Sequence, residues 1–172
     1  RQSTGQEGFP FSASFLFTSA YRTVKAPPLE DDYLFNERIS YTMQFLAARR
    51  FNQNFSLQLT PTLVSRNLAG TTPDLLWATG IGGRVKLTGR VSLNAEYYYC
   101  FNADTYLNPE VYNPLSIGFD IETGGHVFQL IFTNSVAMIE KGFIGETTGS
   151  WGKGDVHFGF NISRVFTLKK HR

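Results

Sequence analysis

The sequence predicts an all-β fold, an antiparallel up-and-down transmembrane β-barrel with eight strands in a single domain over residues 1–172. Three observations predict it. Apolar and polar residues alternate with period 2 along almost the whole chain, the mark of strands with two unlike faces. Most alternating runs are about 10 to 14 residues long, whereas strands of soluble proteins average about 5 to 6 and a tilted membrane-spanning strand needs about 9 to 11. The connections are alternately short and long, as in barrels that place tight turns on one side of a membrane and loops on the other.

Taken in order, residues 9–21 set Phe9, Phe11, Ala13, Phe15, Phe17 and Tyr21 against Ser12, Ser14, Leu16 and Thr18. Residues 38–49 oppose Ile39, Tyr41, Met43, Phe45 and Ala47 to Arg38, Ser40, Thr42 and Gln44. Residues 55–66 oppose Phe55, Leu57, Leu59, Pro61 and Leu63 to Ser56, Gln58, Thr60, Thr62 and Arg66; Pro61 cannot donate to a ladder and predicts a bulge or an edge. Residues 75–87 place Leu75, Trp77, Ile81, Val85 and Leu87 opposite Ala78, Gly80, Gly82, Arg84 and Lys86, and the run GIGG at 80–83 predicts a bulge or a bend.

The second half repeats the pattern. Val91, Leu93, Ala95, Tyr97 and Tyr99 oppose Ser92, Asn94, Glu96 and Tyr98. Leu115, Ile117, Phe119 and Ile121 oppose Ser116, Gly118, Asp120 and Glu122, and Phe128, Leu130 and Phe132 oppose Gln129, Ile131 and Thr133. A last strand over 155–168 sets Val156, Phe158, Phe160 and Ile162 against Asp155, His157, Gly159, Asn161 and Ser163. The turns are RRFNQN, TGR and TGG. Between them run longer loops, the last of which, GETTGSWGKGD at 145–155, reads as mobile from its glycines, with a recognition surface around Trp151 as the alternative.

Phase then assigns faces. Phe15, Phe17, Phe45, Leu59, Trp77, Leu93, Phe119, Leu130, Phe132, Phe158 and Phe160 are expected to face lipid. Rings collect at two levels, with Phe9, Phe11, Phe51, Phe55 and Phe166 on the turn side and Tyr21, Tyr33, Phe35, Tyr41, Trp77 and Tyr112 on the loop side, as in interfacial girdles. The ionisable residues Arg38, Arg66, Arg84, Lys86, Glu96, Asp120, Glu122, Asp155 and His157 are expected to line the lumen, basic on strands two to four and acidic on five to eight. Opposed walls of charge would set a transverse field in a wet pore; in a narrow one the same charges would pair and plug it.

Composition excludes other classes. Charged residues are 17%, below the roughly 25% of soluble domains, and aromatics are 15%. The scattered basic residues and a formal charge of +2 argue against nucleic acid as a partner. No run is long and apolar enough for a membrane helix. The single Cys100 has neither a CxxC partner nor a neighbouring His, and His126 and His157 are expected at opposite ends of the barrel. No metal, cofactor or catalytic residue is therefore expected, although Ser135, His157 and Asp155 would be the members of a triad on paper.

The segments SLNAEYYY at 92–99, DIETGGHVFQLIFTNS at 120–135, KGFIGETTG at 141–149 and HFGFNISRVFTL at 157–168, with SLQLTPTLV and RNL earlier, resemble an outer-membrane β-barrel family of unknown function from Bacteroidota. The resemblance implies a signal peptide and further strands before Arg1, so that these eight strands would be the C-terminal part of a barrel of about twelve. It attaches no activity. The expected role is a porin-like channel in the bacterial outer membrane, or a scaffold there for a periplasmic or surface protein. A soluble lipocalin-like ligand-binding barrel and an outer-membrane hydrolase are the alternatives.

Overall fold

A computed structural model describes residues 10–23, 38–65, 75–101 and 111–164. Phe9, Tyr33, Phe35, Arg66 and Phe166, and so the expectations placed on them, lie outside the described residues. Eight antiparallel strands follow one another in space as they do in sequence: β1 (Ser12–Tyr21), β2 (Ile39–Arg50), β3 (Phe55–Ser65), β4 (Leu75–Lys86), β5 (Val91–Cys100), β6 (Leu115–Thr123), β7 (His126–Thr133) and β8 (His157–Arg164). They form one curled half-barrel, in which β1 pairs with β2 and β8 with β7.

The alternation in the sequence is what fixes the register. A slip by one residue would turn every apolar side chain of a strand to the other face. The pairs Val85–Leu93, Leu93–Phe119, Phe119–Leu130 and Leu130–Phe160 run across five strands at one level, and Phe15 lies opposite Phe45. Phe15, Phe17, Phe45, Leu59, Trp77, Phe132, Phe158 and Phe160 are exposed, while Leu93, Phe119 and Leu130 are half-buried by their neighbours in these rows. On the other face, side chains of non-adjacent strands reach one another: Gln44 of β2 bonds Tyr98 of β5, and Arg84 of β4 bonds Glu122 of β6. That face is therefore the concave one, and the apolar rows cover the convex one.

Three local expectations are corrected. Pro61 marks neither a bulge nor an edge, because β3 lies between β2 and β4 and its register with both is unshifted. The β2 ladder skips the residues opposite Phe45 and Leu46, where the missing N–H falls, and resumes in step. GIGG is likewise no bulge, since β4 pairs without interruption from Leu75 to Val85. Gly80 instead makes room for a ring: a Cβ there would lie 2.5 Å from Cε1 of Tyr98, its partner on β5. The last strand begins at His157 rather than Asp155.

The core sits on the concave side, at the loop end. Val64, Leu76, Ala78, Tyr98 and Cys100 are buried there beneath Ile144, itself 0% exposed. Ile144 belongs to a short helix, α1 (Glu140–Gly145), in the connection from β7 to β8. Phe143 adds an edge-on contact to Tyr98 with ring centres 5.5 Å apart, and Cys100 Sγ donates to the Ile144 carbonyl at 3.2 Å. The stretch that reads as a mobile loop is thus pinned over the sheet. Trp151 Nε1 donates to Leu115 O at 2.9 Å, Asn134 Nδ2 to Gly149 O at 2.9 Å, and the Tyr112 amide to Thr147 O at 2.8 Å.

Two outcomes follow from this packing. Gly80→Val forces the Tyr98 ring off its seat and is expected to cost about 1–3 kcal/mol in urea unfolding from lipid vesicles, whereas Gly89→Ala, with open space around it, is expected to be close to neutral. Cys100 reports on the helix: maleimide labelling of the folded protein is expected to be slow, and roughly tenfold or more faster in Ile144→Ala, which removes the side chain covering the thiol.

Candidate functional site: the concave face

The concave face has two zones. Towards the loop end it is lined by neutral polar side chains that lie under or beside α1. Ser40, Thr42, Gln44, Thr60 and Thr62 are all buried, and a buried polar group costs free energy unless it is bonded. Gln44 Nε2 meets this requirement by donating to Thr62 Oγ1 at 3.1 Å and to Tyr98 Oη at 3.2 Å, while Thr62 Oγ1 donates to the Thr60 carbonyl at 3.0 Å. The helix is tied to the opposite side as well, Thr18 Oγ1 of β1 donating to Glu140 Oε2 at 3.3 Å.

Towards the turn end the face is charged and open. Arg84 Nη2 lies 3.2 Å from Glu122 Oε1 and 3.8 Å from Asp120 Oδ2, reaching over β5 to both. Asp120 also accepts from Gln129 Nε2 at 3.0 Å. The expectation of a basic wall facing an acidic one is thereby modified, because Arg84 of β4 meets Asp120 and Glu122 of β6 across the single strand β5. Glu96, half-buried, lines a cavity of about 330 Å³ with Asn94, Ser116, Asp120 and Gln129. Lys86 lies at the turn end of β4, and Arg38 just before β2 accepts the Arg22 amide on its carbonyl.

The remaining expected residues are spread out. His157 pairs with Thr133 at the loop end of β8, and His126 pairs with Arg164 at the turn end. Asp155 is not on the strand: its Oδ2 accepts from the Ser150 amide at 3.1 Å, closing the turn around Trp151–Lys153. Ser135 Oγ is buried with no hydrogen-bond partner, so it is not bonded to His157, and the paper triad is not assembled. Sequence reasoning missed α1 altogether, and with it the cover over Cys100.

The rings fall at two levels on the convex face. Phe51 stacks on Phe55 at 5.5 Å at the turn end, with the Arg49 guanidinium 5.3 Å from the Phe51 ring. Tyr21, Tyr41, Trp77, Tyr99 and Phe101 are exposed at the loop end. Tyr112 does not join them; it lies in the connection before β6, with Lys153 Nζ 5.3 Å from its ring centre. Between the levels the exposed side chains are apolar, including Phe15 at 66% exposure. An apolar outside with a polar inside reverses the arrangement of a lipocalin-like ligand binder, and the soluble alternative falls with it.

Neither the comparison with curated proteins nor that with solved structures finds a match. A family model described as "Membrane bound beta barrel domain (DUF5777)" matches residues 1–166. A curled antiparallel sheet, an apolar convex band between two levels of rings and a match over nearly the whole chain agree, and the chain belongs to this family of membrane-bound β-barrel domains.

Proposed function

We propose that this chain is part of an outer-membrane barrel that passes small polar solutes through a lumen narrowed by the β7–β8 connection, without catalysis. The observation that carries the reading is α1, folded onto the concave face of a sheet whose convex face is apolar. A segment inside a barrel sets the width of the passage, and the polar and charged side chains around it set which solutes pass. Short turns at Phe51–Asn54, Leu87–Arg90 and Gly124–Gly125, with the longer β7–β8 connection at the other end, support an orientation with turns in the periplasm and loops outside.

Width depends on strand number. In hydrocarbon, unpaired backbone groups cost several kcal/mol each, so the outer edges of β1 and β8 require partners. Further strands between them, to a total of about twelve, would complete the ladder and leave a lumen wider than α1 fills. Eight strands alone leave room only for side chains. A scaffold that docks a periplasmic or surface protein is the second reading, favoured by the apolar packing of Ile144 over Val64 and Leu76.

Planar-bilayer recording on the full chain separates the two. A conducting protein whose single-channel conductance rises in the double variant Phe143→Ala and Ile144→Ala is the expected outcome. Silent membranes for both proteins, with folding verified by heat-modifiable gel migration, would leave the scaffold.

A further inference from the structure

The geometry points to an oxyanion-binding site at the turn end of the concave face, built between the β2–β3 and β4–β5 turns and centred on Arg50 and Lys86. A cavity of about 330 Å³ lies there, lined by Arg50, Gln53, Asn54, Lys86 and Thr88, with no carboxylate among the described residues of its wall. It continues into a second cavity of about 200 Å³ that takes in Ser56 and Arg84. Arg50 and Lys86 share the concave phase and are separated by β3. Ser56 lies level with Arg50 on one side and Arg84 on the other, so two strand spacings and an offset of two residues along β4 put the Arg50 and Lys86 backbones about 12 Å apart, a gap that two long cationic side chains close around one phosphate or carboxylate group.

Charge and preorganisation both favour an anion. Glu122, the one acid among the described residues of the smaller cavity, is already engaged by Arg84, as is Asp120 beside it. Lys86 Nζ has no partner among the described residues, and its ammonium is left uncompensated at the mouth. The Arg50 guanidinium is held in place by its own turn, Nε donating to Asn52 O and Nη2 to Gln53 O, each at 3.0 Å. A guanidinium fixed before the ligand arrives loses less freedom on binding. The turn itself is rigid, because Asn52 Oδ1 accepts the amides of Asn54 and Phe55 at 2.8 Å. Placement on the concave side separates the site from lipid, so its ligand is a dissolved anion. The site binds whether or not the barrel conducts.

Calorimetric titration of the full chain in neutral maltoside micelles tests it, with inorganic phosphate in one arm and succinate in the other. Saturable binding of either is expected, weakened about tenfold or more in Lys86→Gln, since a hydrogen bond to a charged group carries that much. Arg50→Gln is expected to act in the same direction, and Lys153→Gln, at the opposite end, to leave binding unchanged. Which arm saturates tells phosphate from carboxylate. Saturation in neither arm, or Lys86→Gln binding like the unaltered protein while still folded by heat-modifiable migration, would overturn the site. A silent bilayer would not.

Discussion

The backbone of this sheet has to satisfy its own hydrogen bonds, because the apolar convex face offers it no water. The rest of the structure depends on that constraint. It requires ladders that run without slip, and they do so even past Pro61, which drops pairing on the β2 side and keeps its step. Ladders without slip carry each strand's alternation into continuous rows, so that Leu93, Phe119, Leu130 and Phe160 meet at one level. The polar phase is turned inward by the same geometry, and the curl then brings side chains of non-adjacent strands together, as with Arg84 and Glu122.

The core that results is small and off-centre. A soluble β-sandwich buries its apolar phase between two sheets; here that phase faces outward, and the concave side has few apolar side chains to bury. Val64, Leu76, Ala78, Tyr98 and Cys100 form a patch only because α1 supplies Ile144 and Phe143 as a lid from the connection. Gly80 matters for the same reason. Without a side chain it allows Tyr98 to lie flat on the wall, and from there the ring receives Phe143 and its hydroxyl accepts from Gln44.

Strands and faces were legible in the sequence because period-2 alternation over about ten residues is a strong signal and a membrane makes the outer phase unambiguous. Observed strand ends such as Ile39–Arg50 and Leu75–Lys86 fall within a residue or two of those read from the alternation. The helix was not legible. Six residues that include Gly142 and Gly145 have neither the length nor the propensity to show helical periodicity, and α1 is held by what it lands on. The pairing of Arg84 with Glu122 and Asp120 was hidden for a related reason: strand phase tells which face a charge is on, whereas curl decides which charges meet. Asp155 has the alternating phase of β8 and still leaves it, because its carboxylate caps the turn at Ser150.

Trp77, 56% exposed on the convex face, is placed to report whether that face meets lipid. With Trp151→Phe it is the one tryptophan left in these residues, and its fluorescence in vesicles can be challenged with acyl chains brominated at different depths and with aqueous acrylamide. Strong quenching by the brominated chains and little by acrylamide is the expected result. Ready quenching by acrylamide, with no response to brominated lipid, would contradict it.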